Sequence, residues 1–288
     1  MSIASTDGTL SPSRDAETPG FEAEFQTAYW RARRRAVLLR LALNAAGVLL
    51  FIAAWEAIPR WSNWVNEVLF PPPSQVLEAF WPMLKSGEIG HNIMVSLRRA
   101  GTGFGLAFVL GIAAGLITSR VRFFQYLLEP LLHGFRAIPT IALVPLCILW
   151  FGIGETSKLA LVTWGAFFPI WITTHIGVRD VHVIYLRSAA CLGAGRLATL
   201  FLVILPAALP FILSGLRQAI AVSLIVLVAA ELSGASAGVA YMMSQGNQLF
   251  RVDIMFIGLA LLGIFGFLAD RAFVALAGWL FPWYEGAR

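Results

Sequence analysis

A chain that performs chemistry brings nucleophiles, acids and bases or metal ligands together at spacings a fold can use, and few such groups are available here. His91, His133, His175 and His182 are scattered along the sequence. None stands in a His-Glu-x-x-His arrangement, the spacing that turns two imidazoles towards one zinc ion from a single helix face. Asp180 and Asp253 fall at the edges of apolar runs, which leaves Asp270 without an aspartate partner for acid–base work. Cys147 lies inside an apolar run and Cys191 in a more polar loop, and two cysteines so placed do not make a disulfide framework. No Gly-x-x-x-x-Gly-Lys-Ser/Thr loop occurs, and neither of the only lysines, Lys85 and Lys158, follows a glycine, so the chain carries no such cradle for nucleotide phosphates. The expectation is a protein that is not an enzyme, with neither cofactor nor metal of its own.

What remains is a small set of ionisable residues in or beside long apolar runs. Charged residues make up 13% of the 288 and hydrophobic residues 58%, against about 25% charged in a soluble domain. The mean hydropathy of +0.76 fits a chain whose solvent is largely lipid. In that setting an ionisable group at membrane depth is a functional candidate by default. Arg136 and Glu231 are the candidates for lining a solute path, whereas the adjacent Asp270 and Arg271 are expected to find partners on neighbouring helices or to snorkel. The net charge of +5 is mostly arginine, set beside apolar runs and without an aromatic-interleaved patch, which speaks for membrane lipid and against nucleic acid as its partner.

A helix needs about 20 mostly apolar residues to cross the hydrocarbon core. Six runs qualify: 37–58, 100–118, 126–150, 159–177, 209–230 and 254–280. The third contains Pro130, Pro139 and Pro145, which predict a short lateral helix followed by a tilted span. Residues 1–35 read as a flexible polar tail without the apolar core of a signal peptide, and 36–65 as the first span. Arg31, Arg33, Arg34, Arg35 and Arg40 at the start of that span predict a cytoplasmic N-terminus. Six crossings then return the C-terminus to the same side. Arg98 and Arg99 fall on the outer side just before the second span, where they either snorkel or belong to a helix that starts earlier. The glycines Gly101, Gly103, Gly105, Gly111 and Gly115 predict a close helix-packing face, because helices in lipid associate through backbone approach.

The stretch between spans four and five, about 179–208, is long, helical in pattern and dense in small residues. Ala189, Ala190, Gly193, Ala194 and Gly195 offer a small-residue face, with Arg187 and Arg196 at its rim. An ordered connection of this length predicts docking to a partner. A proton- or sodium-driven secondary transporter is the rival reading, but it calls for inverted repeats, and none is clear.

This stretch resembles the Glu-Ala-Ala loop of bacterial ABC importer permeases: Glu-Ala-Ala, three residues, Gly, nine residues, Ile-x-Leu-Pro. Gly193 fits the glycine, and the spacing places Val203, Leu205 and Pro206 on the terminal positions. Ala189 matches the second alanine, while Arg187 and Ser188 replace the glutamate and the first alanine. Further stretches, Phe70-Pro-Pro-Pro-Ser-Gln-Val, Arg136-Ala-Ile-Pro-Thr, Trp150-Phe-Gly-Ile-Gly-Glu-Thr-Ser-Lys and Ala230-Glu231 followed by Gly238, are similar to permeases for taurine, aliphatic sulfonates and nitrate. The resemblance implies an all-α permease core over residues 66–286, in the inner membrane of a bacterium, working as a homodimer with its path at the dimer interface. It implies that residues 187–190, Gly193, Ala194, Arg196, Leu205 and Pro206 form a coupling helix seated on an ATPase. The implied partners are a second copy, two ATPase subunits that bind ATP and magnesium, and an extracytoplasmic substrate-binding protein. The implied cargo is taurine or another sulfonate, with nitrate, cyanate, bicarbonate or an aromatic acid as alternatives.

Overall fold

The computed structural model describes residues 19–61 and 66–282, whose regular structure is helical throughout. Its contacts fall into two units, 1–65 and 66–288. In the first, helix α1 spans Pro19–Trp61 and includes a 25-residue apolar stretch, Val37–Trp61. Residues 1–18 of the expected tail lie outside the described residues. Residues 19–35 are helical. Pro19 suits the first helical position, and the Ala, Glu, Gln and Arg that follow are good helix formers joined to an already nucleated apolar helix.

The second unit contains α2 (Pro73–Lys85), α3 (Glu88–Arg120), α4 (Arg122–Arg136), α5 (Val144–Phe151) and α6 (Glu155–Arg179). It continues through α7 (Val183–Cys191), the short α8 (Arg196–Thr199), α9 (Leu205–Leu232), α10 (Val239–Gln248) and α11 (Val252–Leu280). Among the described residues, five helical stretches are long and apolar enough to cross a membrane, α1, α3, α6, α8–α9 and α11; α4 with the Thr140–Phe151 segment, bent by 92°, makes a sixth if the pair is one span. The bend falls at Ala137–Pro139, so Pro139 marks the break while Pro130 sits inside α4.

α3 begins at Glu88, well before the start expected at residue 100, and this places Arg98 and Arg99 within the helix. One stripe along α3 is buried at three- and four-residue intervals: Asn92, Ser96, Arg99, Gly103, Ala107, Gly111, Gly115 and Thr118. That spacing keeps these residues on one face of the helix. From Gly103 to Gly115 the face meets α6, which runs parallel to α3. A methyl group at Gly103, Gly111 or Gly115 would stand 2.6 to 2.9 Å from Val162, Ile170 or Thr174. Lipid tails give apolar side chains no reason to leave them, so a close backbone approach carries this contact. Gly101 and Gly105, also expected on the packing face, have open space around them.

α9 packs antiparallel on the other side of α6: Gly165 meets Val226 and Gly177 meets Phe211. α6 is therefore the central helix, with Leu161, Val162, Ala166, Ile170, Trp171 and Val178 almost fully buried. Near its C-terminus, Trp171 Nε1 donates to Thr118 Oγ1 at 3.2 Å, His175 Nδ1 lies 3.0 Å from the same oxygen, and Arg120 Nη2 donates to the Val178 carbonyl at 3.0 Å. α11 follows the α9 side of the bundle, where Asp270 pairs with Arg217 of α9, and Arg271 lies over the Phe267 ring.

Candidate functional site

Two regions at opposite ends of the bundle hold the residues singled out above. At the first, the start of α6 and the end of α9 meet beside Arg99 of α3. The Arg99 guanidinium donates through Nε to Glu155 Oε2 at 2.7 Å and through Nη2 to Glu155 Oε1 at 2.5 Å. Its Nη1 donates to Glu231 Oε1 at 2.9 Å and to the Ala237 carbonyl at 2.5 Å. The Arg99 and Glu231 side chains are 3% and 0% exposed, whereas that of Glu155 is half exposed. Lys158, also buried, donates to the Gly154 carbonyl at 2.9 Å. Two positive and two negative groups thus balance, as buried charges must if they are to stay ionised away from water.

The same cluster holds the N-terminus of α10, whose first amides lack partners within their own helix. Asn92 Oδ1 accepts from Gly238 N at 2.8 Å, Ser96 Oγ from Val239 N at 2.9 Å, and Glu231 Oε2 from Ala240 N at 3.0 Å. Ser96 in turn donates to Glu231 Oε1 at 2.8 Å. A carboxylate at this position also meets the positive end of the helix dipole. Gly238 is required twice over: its φ is +127°, and a methyl group there would collide with the Glu231 carboxylate. Of the two sequence candidates for a path, Glu231 is therefore held inside this cluster. Arg136 is exposed at the last turn of α4. Arg99, Glu155, Ser96 and Asn92 were not singled out as site residues. The signal that could have found the three on α3 is the three- and four-residue phase running from Asn92 through Gly103 to Gly115; Glu155, at the start of α6, leaves no such signal.

At the other end lies the stretch between α6 and α9. His182 caps α7, its Nδ1 accepting from Ile184 N at 3.3 Å. α7 ends in a paired closure: Ala194 N donates to the Ala189 carbonyl and Gly193 N to the Ala190 carbonyl, both at 3.0 Å. This closure needs a left-handed residue at its turn, and Gly193 supplies it with φ +74°. Nothing stands within 4 Å of a methyl group placed there, so the backbone, not packing, selects glycine. Arg187, Ser188, Ala190, Gly193 and Arg196 are exposed, Ala189 is buried in the chain's own core, and Ala194 and Leu205 are half-buried. The turn also presents apolar side chains that the motif did not mark: Leu192 is 87% exposed and Leu197 71%. α8 then runs through a π-helical stretch, Leu200–Ile204, into α9, with the exposed Pro206 in the first turn of α9.

Residues 107–281 match the family described as binding-protein-dependent transport system inner membrane component. The chain belongs to this family. The permease is 34% identical over 250 residues to the taurine transport system permease protein TauC of Escherichia coli, covering 85% of this chain and 90% of that protein. It is 35% identical over 246 residues to the putative aliphatic sulfonates transport permease protein SsuC of Bacillus subtilis, covering 83% and 89%. Its fold is similar to a chain of the inward-facing MetNI methionine ABC transporter, with a TM-score of 0.54 and 18% identity, covering 68% of the permease and 98% of that chain. It is thus a multi-pass, all-α transport component.

Proposed function

We propose that this permease forms the membrane path of an ATP-driven importer for taurine or another aliphatic sulfonate. The observation that carries the proposal is the similarity to sulfonate and taurine permeases along most of their length. In this reading two copies enclose the path, an external binding protein delivers the anion, and two separate ATPase subunits supply the energy. The N- and C-termini, together with α7 and α8, face the cytoplasm, as the arginines at the start of the first span favour. The Arg99–Glu231 cluster then sits at the outer end of the bundle.

The α7–α8 turn is the part suited to receive force. It projects Leu192 and Leu197 with Arg187 and Arg196 nearby, an apolar tip with a basic rim. ATP-driven closure of the ATPases would move the seated turn and, through α9, the path. Arg187 in place of the motif's glutamate removes an acidic contact and supplies a basic one.

The test is to co-express the permease with its candidate ATPase, reconstitute the complex, and measure ATP hydrolysis and sulfonate uptake with and without a taurine-loaded binding protein. Stimulated hydrolysis coupled to uptake is the expected result. Solute movement driven by an ion gradient, with no retained ATPase, would replace this reading with a secondary transporter.

A further inference from the structure

α3 and α11 present large apolar side chains outward, as lipid requires: Leu106, Val109 and Leu110 on one, Ile264, Phe267 and Leu268 on the other. α9 departs from this. Midway along it the exposed positions are Ser214, Arg217, Gln218 and Ala221, a polar and small face within a span of mean hydropathy 2.3. Arg217 pairs with Asp270 of α11 in a two-pronged contact, Nε to Oδ1 at 2.6 Å and Nη2 to Oδ2 at 2.9 Å. Unlike the Arg99 cluster, this pair is open, with the side chains 54% and 39% exposed. At 1.5 Å per residue, Arg217 stands about 18 Å from the start of α9 and about 22 Å from its end. Charges at such depth face bundle interiors or water-filled cavities, because hydrocarbon cannot solvate them.

We infer that this face of α9 lines an aqueous path and that Arg217, opposed by Asp270, is an exchangeable contact for a small oxoanion of the sulfonate class. A guanidinium offers planar paired donors, and a sulfonate oxygen pair can take the place of the carboxylate oxygens on them. Asp270 keeps the contact weak: it competes for the same donors, so an arriving anion is released as the carboxylate returns. A path site must bind well enough to admit its cargo and poorly enough to let it leave. The identity of the anion rests on the importer reading, whereas the wetness of the face does not.

The experiment uses the permease–ATPase complex in proteoliposomes, in a background carrying Cys147→Ala and Cys191→Ser. Ser214→Cys and Ala221→Cys, one helical turn either side of Arg217, are treated with two methanethiosulfonates of similar size, the anionic sulfonatoethyl and the cationic trimethylammonioethyl reagent. Ile264→Cys on α11 is the lipid-facing control. Both α9 positions are expected to react, and the anionic reagent about tenfold faster than the cationic one. Asp270→Asn is expected to widen that preference and Arg217→Gln to reverse it. Reaction no faster than at Ile264→Cys, or a preference that ignores both substitutions, overturns the inference. ATP-driven taurine uptake, with taurine-loaded binding protein added, is followed in the same vesicles. Uptake without labelling sinks the inference and leaves the importer reading intact. Labelling with the stated charge preference but without uptake supports the anion contact and counts against the importer reading.

Discussion

Arg99 and Glu231 stand 132 residues apart in the chain, yet they meet at 2.9 Å where four helices converge. Both are buried, and each closes bonds the other cannot: the arginine ties α3 to the start of α6, and the glutamate ties α9 to the start of α10. Replacing Arg99 by leucine strands a fully buried carboxylate, and loss of one partner of a buried pair costs about 3–5 kcal/mol. Replacing both residues by leucine is expected to recover much of that loss. Equilibrium unfolding of Arg99→Leu, Glu231→Leu and the double variant in mixed micelles, read as a double-mutant cycle, checks this. A double-variant loss equal to the sum of the two single losses would show that the two side chains are energetically independent.

Gly238→Ala is expected to be among the most damaging small substitutions in the chain. It combines a φ of +127° with a collision against Glu231, and backbone strain of this kind alone costs about 1–3 kcal/mol. The measurement is the thermal unfolding midpoint in detergent. A midpoint unchanged from the parent would mean that the α10 N-terminus is not held as described.

The glycines of α3 separate by neighbour and not by composition. Gly115→Val should weaken the α3–α6 contact by about 1–3 kcal/mol through overpacking, because its methyl groups enter Thr174. Gly105→Val, facing open space, should be near neutral. Protease resistance of the purified protein distinguishes the two, and equal behaviour would contradict the packing face.

At the α7 turn, Gly193→Ala forces a side chain into left-handed backbone, a cost of about 1–2 kcal/mol. Gly195→Ala carries no such cost, since φ there is −66°. Hydrogen exchange over 183–199 should accelerate in the first variant and stay at the parental rate in the second.

Leu192→Asp tests the apolar tip without touching the fold, since this residue is 87% exposed. The variant should remain folded and lose the ATPase on co-purification by about tenfold, equivalent to about 1.4 kcal/mol. Undiminished retention would place the docking surface elsewhere.

The membrane spans were legible because burial in lipid writes itself into twenty-residue averages. The bend between α4 and α5 was legible in part, since three prolines marked the region, but only tertiary support decides that Pro130 is tolerated within a helix and Pro139 breaks one. Arg99 was read from its place before an apolar run, as snorkelling or as part of a helix that starts earlier; its partners lie on α6 and α9 and leave no mark beside it. α10 went unseen for a related reason. It is short, its residues include Ser244, Gln245 and Asn247, and its start is fixed by acceptors from other helices. Residues 187–190 through Pro206 were singled out by spacing, but spacing could not tell that Ala189 faces inward while Leu192 projects.

α8, the π-helical stretch and α9 form one uninterrupted 37-residue rod, Arg196–Leu232. At 1.5 Å per residue it is about 55 Å long. Glu231 at one end and Arg196 at the other are thus carried by a single lever, with Arg217 between them. A tilt imposed at the basic end displaces the far carboxylate, and α10 with it, in the opposite sense about whatever point serves as fulcrum. The extra residue in the π turn fixes the rotational phase of that lever, and so decides which side chains α9 turns towards Asp270 and which towards α6.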